Sequence, residues 1–388
     1  MNKLYNTNYD IAMGLHNFFK EINIPLSEYR FELLTNLIIS LINSESGVIS
    51  DITKNFKVFS DIQDESLQKK IRRFFDSSKF FPYEIYDKII KHVIDNYKVK
   101  HNDNNVHIIL DHSFCKDDFT VFMITMRLGE QSIPLYFRCF YGTNDPDAFD
   151  EDFIIKSIDY IYNLFKDKDY NLIFLADRWF PNTRVLTHID NLNCTYVFRT
   201  KKDHMIRYFD KKEGHYIWKQ LSEFTHKKYI SKFFDNVDYT FNHTIKANIV
   251  LGRTDGTDEP WILVTNGNSR RAVKDYSYRF GAIECNFKNN KTNGFYLEST
   301  KLKKLSSFIG IYFVINIATL WLTIIGADYV KNKNQLSKRL KIRDTKKTKS
   351  GNIKRIISLF NLGLTLFNKL QNNIISISIK CNFILYDV

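Results

Sequence analysis

Apolar residues recur at steps of three and four positions through the first hundred residues of the chain. Two stretches show this period most clearly: Leu33, Leu34, Leu37, Ile38 and Leu41, and then Ile85, Ile89, Ile90 and Val93. Such spacing places apolar side chains on one face of an α-helix. The pattern therefore predicts a helical N-terminal domain over residues 1–103.

Short apolar runs bounded by polar residues begin at Val106 and predict strands. The runs are 106–110, 120–126, 133–140, 172–176 and 194–198. Between the third and the fourth run, one face of a helix is marked by Phe153, Ile154, Ile158, Ile161 and Phe165. Three strands, a helix and a further strand, in this order, are typical of an RNase H-like sheet.

The second half of the chain changes from strand patterns to helix patterns. Residues 239–251 and 261–265 each predict one strand, on either side of a turn at 254–258 that is rich in Thr, Asp and Gly. Helical patterns follow at 276–291, 305–325 and 356–370. The strands thus form a β-rich insertion, and the chain ends mainly in helices.

The fold class that these patterns predict is α/β. An RNase H-like mixed sheet, flanked by helices and interrupted by a β-rich insertion, follows the N-terminal helical domain. We place the core at 104–200 and 272–370, the insertion at 201–271 and a C-terminal tail at 371–388.

One helical stretch is apolar enough to cross a membrane. Residues 306–327 are 22 residues without a charge, preceded by Lys303 and Lys304, and this length can span a bilayer. The stretch also contains Asn316 and several other polar residues, and a helix that is apolar on all sides can equally be buried in a large core. Composition alone leaves both interpretations open.

The chain is strongly basic. Its 56 Lys and Arg against 43 Asp and Glu give a formal net charge of +13, of which +10 falls on residues 331–355 with their single acid, Asp344. This excess suits a polyanionic partner, because each neutralised phosphate releases bound counterions; a generic basic surface is the alternative. Apolar residues make up 44% of the chain, which indicates a folded protein.

Motif searches exclude several classes of protein. The five cysteines show no paired or CxxC spacing, so a zinc ribbon or a disulfide framework is not expected and a reducing cytoplasm fits best. The N-terminus lacks the apolar centre of a signal peptide. The chain has no phosphate-binding loop, dinucleotide-binding glycine motif or zinc-protease motif.

Three carboxylates form the candidate catalytic group. Asp111 and Asp177 each follow directly on an apolar run, and Glu284 lies on a predicted helix that carries Lys288 and Lys291 on the same face. Converging carboxylates repel one another, whereas two Mg²⁺ ions about 4 Å apart bind such groups and hold both oxygens of a phosphodiester displacement. An ordinary Glu–Lys pair on the helix is the alternative for Glu284.

Three other features allow ordinary explanations. The acidic cluster at 145–152 is typical of a solvated helix start, and the basic and aromatic stretch at 69–75 predicts either DNA contact or an amphipathic helix. A strand would point His112 away from the side that Asp111 faces, so we expect His112 to be structural.

The stretch that begins at Tyr276 resembles the Tyr–Arg–Glu–Lys signature of bacterial insertion-sequence DDE transposases of the insertion-sequence-four type. Tyr276, Arg279, Glu284 and Lys291 occupy its positions. The first and last spacings match, but four residues instead of three separate Arg279 from Glu284. On one continuous helix, the extra residue would turn Tyr276 and Arg279 by about 100° from their usual direction.

Further matches extend the resemblance over about residues 105–370. Asp111 and the stretch 176–180 are similar to the two acidic strand ends of the family. The strand that begins at Trp261 is similar to the one that closes its β-rich insertion. The stretch 318–321 with Gly326, inside the apolar segment 306–327, and the stretch 358–364 resemble the closing helices of the family, which pack on the sheet. The resemblance therefore favours a buried helix over a membrane span.

The resemblance implies a DNA transposase with an RNase H-like core, in which Asp111, Asp177 and Glu284 are the catalytic metal ligands. It implies Mg²⁺ as cofactor, two ions of it, with Mn²⁺ as a substitute. The implied partners are terminal inverted repeats and target DNA, bound by a homodimer, in the cytoplasm at the nucleoid and without a membrane. The implied DNA-contacting residues are Tyr276, Arg279, Lys288, Lys291, Trp261 and Arg178.

Trp261 has two interpretations. In relatives that form a DNA hairpin, the matching tryptophan receives a flipped base, but a tryptophan in a strand is more often part of the core. Two alternatives to the enzyme also remain: a catalytically inactive or domesticated DNA-binding relative, and a single-span membrane protein.

Overall fold

The computed structural model describes most of the chain. The described residues are 2–56, 62–97, 104–116, 118–142, 150–224, 230–252, 260–332, 345–347, 353–371, 381 and 383–385. Most of the basic segment 331–355 lies outside the described residues, as do the predicted turn at 254–258 and residues 145–149 of the acidic cluster.

Five strands form the first half of a mixed sheet in the order β3-β2-β1-β4-β5. They are β1 (Asn105–Cys115), β2 (Phe119–Leu128), β3 (Gln131–Tyr141), β4 (Asn171–Ala176) and β5 (Thr195–Arg199). The first three form an antiparallel meander, while β4 runs parallel to β1 and β5 parallel to β4. This order with these directions is the RNase H-like arrangement, so the predicted fold class is confirmed.

The insertion continues the same sheet. Its strands are β6 (Met205–Asp210), β7 (His215–Gln220), β8 (Lys232–Tyr239), β9 (Ile245–Gly252) and β10 (Trp261–Thr265). β10 pairs with β5, and the remaining strands follow it in the order β9-β8-β6-β7, all antiparallel.

One strand prediction in the insertion was wrong. The sequence predicts a single strand over 239–251, but the chain turns back after Tyr239, at Thr240 and His243 with φ angles of 61° and 57°. The apolar residues on either side of this turn belong to two neighbouring strands, β8 and β9. Local hydrophobicity does not distinguish one long strand from a hairpin when the turn contains neither Gly nor Pro.

Eleven helices are described around the sheet. They are α1 (Asn2–Glu21), α2 (Glu28–Ser44), α3 (Ile49–Phe56), α4 (Asp64–Phe75), α5 (Pro82–Asp95), α6 (Glu151–Phe165), α7 (Thr183–Asn191), α8 (Ser269–Ser277), α9 (Ile283–Lys288), α10 (Leu305–Lys331) and α11 (Leu359–Gln371). Short strands at Thr345–Lys347 and Ile353–Arg355 pair with each other between α10 and α11.

The predicted helical N-terminal region is present, and it shares the core of the sheet. α2, α4 and α5 pack on α10, and α5 also packs on β3, where the Tyr86 hydroxyl donates to the Pro134 carbonyl at 2.8 Å. In the basic and aromatic stretch, Phe74 and Phe75 are buried while Arg72 is exposed. α4 is thus an amphipathic helix with its aromatic residues in the core.

Helix α10 is the apolar stretch that raised the membrane alternative. The described chain contains one helix long and apolar enough to cross a membrane, or two if the bent pair α2–α3 counts as one span. In the most apolar 18-residue window of α10, 94% is buried inside the protein. The prediction that this stretch packs within the protein core is therefore confirmed.

Three buried polar side chains of α10, those of Tyr312, Asn316 and Thr319, are hydrogen-bonded within the protein, although Asn316 Oδ1 has no partner among the described residues. Thr319 Oγ1 donates to Asn290 Oδ1 at 3.1 Å, and Asn290 Nδ2 donates to the Tyr312 hydroxyl at 3.3 Å. Asn316 Nδ2 donates to the Tyr312 carbonyl at 2.9 Å. Buried polar groups are tolerated when they are hydrogen-bonded, so these residues are compatible with burial in a core.

Two glycines allow α10 and α11 to approach each other closely. A Cβ atom on Gly363 would lie 1.9 Å from the Leu322 carbonyl oxygen, and one on Gly326 would lie 2.1 Å from the Leu359 carbonyl oxygen. Neither oxygen belongs to a flexible side chain. The two helices could accommodate larger residues here only by moving apart.

We expect Gly363→Ala to lower the free energy of unfolding by about 1–3 kcal/mol, as overpacking of a close contact does. Urea denaturation followed by circular dichroism measures this change. Asn361→Ala is the matched control, because Asn361 lies on the exposed side of α11 and its replacement should change little. Equal stabilities of the two variants would contradict the close approach of the helices.

Candidate active site

Asp111 and Asp177 lie side by side where β1 and β4 stop pairing. Leu110 and Ala176 are the last paired residues of these two parallel strands, so Asp111 and Asp177 are the next residue on each chain. Parallel strands in register present such residues on the same side of the sheet. β1 itself continues to Cys115, so Asp111 marks the end of its pairing with β4 and not the end of the strand.

Each aspartate accepts a hydrogen bond from a backbone N–H. Asp111 also contacts Arg279, and Asp177 faces the solvent. Asp111 is mostly buried; it accepts from the His112 N–H at 2.9 Å and from Arg279 Nη2 at 2.7 Å. Asp177 accepts from the Arg178 N–H at 2.6 Å and is partly exposed. Both carboxylates are therefore fixed in position by the local backbone.

The predicted helix over 276–291 is broken, and after the break Glu284 lies near Arg279. α8 ends at Ser277, a turn follows that contains Gly281 with a φ angle of 78°, and α9 begins at Ile283. Glycine adopts this left-handed conformation without a Cβ clash. The prediction of one continuous helix was wrong, because the extra residue between Arg279 and Glu284 lies in this turn.

As a result, Arg279 lies between two of the three carboxylates. Its Nη2 is 2.7 Å from Asp111 Oδ2, and its Nη1 is 3.8 Å from Glu284 Oε1. The Arg279 side chain is only 7% exposed, whereas 52% of the Glu284 side chain is exposed. The angular offset expected for a continuous helix does not apply, and the signature residues Arg279 and Glu284 meet.

The titration of these groups reflects burial and their mutual repulsion. Burial raises the pKa of Asp111, against the lowering effects of Arg279 and the His112 N–H. Burial also raises the pKa of Glu284, and the negative charges of Asp111 and Asp177 add to this effect while Arg279 opposes it. For Arg279, burial disfavours the charge, but the neighbouring Asp111 keeps its pKa above the usual value.

The donor chemistry of this site fits a divalent cation, and Arg279 occupies a cation's place. All three candidate ligands offer carboxylate oxygens, which Mg²⁺ prefers, and their charges repel one another. Among the described residues, however, no group of three or more His, Cys, Asp or Glu side chains is close enough to hold a metal ion. Arg279 supplies the positive charge between Asp111 and Glu284, so joint ligation requires this side chain to move.

The two lysines of the signature region lie in different environments. Lys288, one turn after Glu284, is exposed. Lys291 follows in a π-helical turn at Asn289–Asn293; its ammonium group donates to the Phe114 carbonyl and lies 3.5 Å from Glu298 Oε1. The change from α- to π-helix removes Lys291 from the face it would share with Glu284, and in this structure Lys291 is held by protein groups.

Trp261 and Tyr276, both expected to contact DNA, are core residues. Trp261 is 4% exposed and Tyr276 is fully buried. The Trp261 ring stacks on Phe280 at 5.1 Å, and Tyr276 contacts it edge-on at 5.0 Å. This burial favours the core alternative for Trp261, and direct DNA contact of either residue stays a prediction.

His112 contacts aromatic residues close to the site. Its ring lies 5.9 Å from both the Trp179 and the Phe180 ring. Burial lowers the pKa of His112, and the Asp111 and Asp177 charges only partly oppose this. The structural role predicted for His112 agrees with this packing.

A cleft that no local sequence pattern predicts lies next to Asp177. It is lined in part by Arg178, Trp179, Arg199, Lys201 and Lys202. Arg178 and Trp179 belong to the stretch 176–180, which resembles the second acidic strand end of the transposase family. The basic residues after β5 become relevant only because β5 pairs with β4, which a local pattern does not reveal.

The solved structures that are similar to this chain include the following two. One is a cryo-EM structure of a piggyBac transposase synaptic complex with hairpin DNA, at 13% identity over 96% of this chain and 80% of that one, with a TM-score of 0.49. The other is a crystal structure of human ENDOV, at 10% identity over 50% and 86%, with a TM-score of 0.26. No family model and no curated protein matches the chain.

Proposed function

We propose that the protein is a DNA transposase that cleaves the ends of an insertion sequence and joins them to target DNA. One observation carries the proposal: Asp111 and Asp177 follow the last paired residues of two neighbouring parallel strands. A broken helix brings Glu284 within reach of Arg279, which binds Asp111. The three carboxylates come from distant parts of the chain, and the buried Arg279 lies between two of them, which is more than ordinary core packing requires.

Asp111, Asp177 and Glu284 are the residues that would hold Mg²⁺, or Mn²⁺ in its place, with two ions proposed. When bound, these ions stabilise the attacking and leaving oxygens of a phosphodiester displacement. The raised pKa of Glu284, to which the neighbouring negative charges contribute, supports the assignment, since a cation relieves that repulsion.

The basic residues around the site would position the DNA backbone. Arg178 and Lys288 are exposed, and they lie directly after Asp177 and one turn after Glu284. Arg279 is buried between the carboxylates of Asp111 and Glu284. When a cation binds these carboxylates in its place, the Arg279 side chain would be released and would bind a DNA phosphate. Guanidinium groups suit this role because they bind phosphate oxygens in pairs.

Two displacements at phosphorus make up the proposed reaction. Water attacks a phosphodiester at the element end, breaks the bond to the 3′-oxygen and leaves a free 3′-hydroxyl. That hydroxyl then attacks a phosphodiester of the target and releases a target strand end. Both steps are in-line displacements with developing negative charge, so one group of positioned side chains can serve both.

We further propose that two copies act together on DNA. An element has two ends and each chain has one group of three carboxylates, so a homodimer would hold both ends at once. The partners are then the terminal inverted repeats and the target, and the protein acts at the nucleoid in the cytoplasm. Size-exclusion chromatography with light scattering, with and without end DNA, measures the number of copies.

The exposure of Lys288 leads to a prediction about salt dependence. We expect Lys288→Ala to reduce the slope of log affinity for duplex end DNA against log salt by about 0.9 for each phosphate that the variant no longer neutralises. Lys291→Ala should leave the slope unchanged, because protein groups hold Lys291. Fluorescence anisotropy at several salt concentrations measures both slopes. The reverse result would show that Lys291 leaves its partners to bind DNA.

End cleavage is the direct test of the proposed function. The protein is incubated with Mg²⁺ and DNA that carries the inverted repeats flanking its own gene, and cleaved ends are resolved on denaturing gels. Cleavage at the repeat boundary, and none in a duplex with scrambled repeats, is the expected result. Absence of cleavage with both Mg²⁺ and Mn²⁺ would contradict the enzymatic function.

A DNA-binding protein without catalytic activity is the second candidate. It is favoured by the ion pair of Arg279 with Asp111, since a lasting ion pair would keep the site closed to a metal ion. Specific binding of the repeats without cleavage under any metal condition would identify this candidate. Calorimetric titration with Mg²⁺ adds a readout independent of activity, because the enzyme should bind the ion and the inactive relative should not.

A further inference from the structure

A cleft beside the carboxylates combines positive charge with an exposed indole. Its volume is about 840 Å³, and it lies between the ends of β4 and β5 and the start of β10. The residues that give it its character are Arg178, Trp179, Arg199, Lys201, Lys202 and Asp203. Four of these six are basic and one is acidic, so an anionic ligand is favoured. We call it the Trp179 cleft.

Trp179 is the most exposed of the large apolar side chains in the described chain, at 73%. The Lys201 ammonium lies 5.9 Å from its ring centroid, and the His112 ring meets it edge-on at an interplanar angle of 89°. Leaving so large an apolar surface in water is unfavourable. A ligand that covers the indole would remove this cost.

The position of Trp179 connects the cleft to the reacting strand. Trp179 follows Asp177 by two residues, and its ring contacts His112, whose N–H holds Asp111. A nucleotide next to a phosphate at the carboxylates is therefore within reach of the cleft. The cleft volume also lies within the roughly 300–1,000 Å³ range of pockets for small organic ligands.

We propose that the Trp179 cleft binds an unpaired nucleotide of the DNA strand that is cut at the neighbouring carboxylates. Trp179 stacks on the base, and Lys201 and Lys202 pair with the flanking phosphates. This inference rests on the proposed function for the identity of the strand. The binding of an unpaired nucleobase by the cleft does not itself depend on cleavage of the strand.

Two physical arguments favour an unpaired nucleotide over other ligands. Inside a duplex both faces of a base are covered by its neighbours, so an indole can stack only on a base that has left the helix or lies in a single strand. Aromatic side chains within a cationic groove are the usual means of binding such strands.

Binding of a fluorescein-labelled oligothymidine of about 12 nucleotides tests the proposal. The measurement uses the full chain without divalent ions, so that catalysis plays no part. We expect Trp179→Ala to weaken binding by about tenfold or more, and Trp179→Phe to retain most of the affinity, because stacking needs only an aromatic face. Phe241→Ala is the matched control, since Phe241 is 64% exposed but does not line the cleft.

The lysines provide a second, independent measurement. A Lys201→Ala, Lys202→Ala double variant should flatten the slope of log affinity against log salt by about 0.7 for each phosphate of the single strand that it no longer neutralises. Trp179→Ala should leave the slope unchanged, because stacking releases no counterions. A loss of affinity in Trp179→Ala together with these two slopes supports the site.

The outcomes separate this site from the proposed function. If wild-type protein cleaves repeat ends but Trp179→Ala binds the oligothymidine as wild type does, the cleft proposal is overturned and the transposase remains. The same holds if the wild-type protein fails to bind the oligothymidine. If Trp179→Ala loses affinity but the wild type cleaves nothing, the site stands and the proposed function fails.

Discussion

Asp111→Asn, Asp177→Asn and Glu284→Gln should each lower cleavage at the element ends by at least about a thousandfold, with duplex binding nearly unchanged. Each amide keeps the shape of the side chain and removes the negative charge that holds a divalent cation. Cleavage is measured with purified variants on end-labelled repeat DNA in Mg²⁺. The three residues are expected to behave alike, because each would supply oxygen donors to the same ions.

Asp177→Asn is the most informative of the three variants. Asp111 also binds the buried Arg279, so its amide would disturb a charge pair in addition to metal ligation. Asp177 is partly exposed and accepts a hydrogen bond from the Arg178 backbone N–H, which an amide oxygen can also accept. If Asp177→Asn loses cleavage activity without a change in thermal stability, the loss is therefore one of catalysis and not of folding.

Glu213→Gln serves as the control for a general loss of negative charge. Glu213 is exposed in the turn between β6 and β7, at the far edge of the sheet. Its cleavage rate should equal that of the wild type. Wild-type cleavage in any one of the three carboxylate variants would show that this residue is not a ligand.

The two aspartates could be found from sequence because their position depends on local pattern. Each follows a run of apolar residues, and such a run predicts a buried strand whose end lies at the sheet edge. That the two aspartates are neighbours follows only from the strand register, in which Leu110 pairs with Ala176. Register depends on residues far apart in the chain. The sequence therefore predicted an aspartate after each apolar run, and the structure showed that the two aspartates are neighbours although β1 continues to Cys115.

The region around Glu284 shows why periodicity alone fails at a functional site. Its polar and apolar residues fit a helix over 276–291, yet the chain breaks at Gly281 and winds into a π-helix at Asn289–Asn293. Both irregularities redirect charged side chains: Arg279 faces Asp111, and Lys291 faces Glu298. π-Helical turns occur often at functional sites, but no simple sequence rule locates them.

The Trp179 cleft depends on tertiary structure even more strongly. Arg199 and Lys201 lie at and just after the end of β5, whereas Trp179 follows β4, and they meet because the two strands are parallel neighbours. Pro260 and Ile262, from the strand that closes the insertion, complete the wall. A site assembled from four separate segments, of which Ser222 belongs to the fourth, has no local signature in the sequence.

Trp321→Ala should produce the largest loss of stability among the single replacements considered, about 3–5 kcal/mol in the free energy of unfolding. The Trp321 side chain is fully buried in α10. Its ring meets Phe367 of α11 edge-on at 5.6 Å and stacks with Phe383 of the C-terminal tail at 6.3 Å. Alanine would leave a cavity where three parts of the chain meet.

Urea denaturation, followed by circular dichroism in aqueous buffer, measures the loss. Trp179→Ala is the matched control, because the same substitution at a side chain that is 73% exposed should change the free energy by no more than about 0.5 kcal/mol. Trp321→Phe should fall between the two, since a smaller aromatic ring fills part of the cavity. If α10 instead crossed a bilayer, Trp321 would face lipid and the protein would need detergent for extraction. A native protein recovered only from detergent-solubilised membranes, or a cost below about 1 kcal/mol for Trp321→Ala, would contradict the buried position of α10 beneath the sheet.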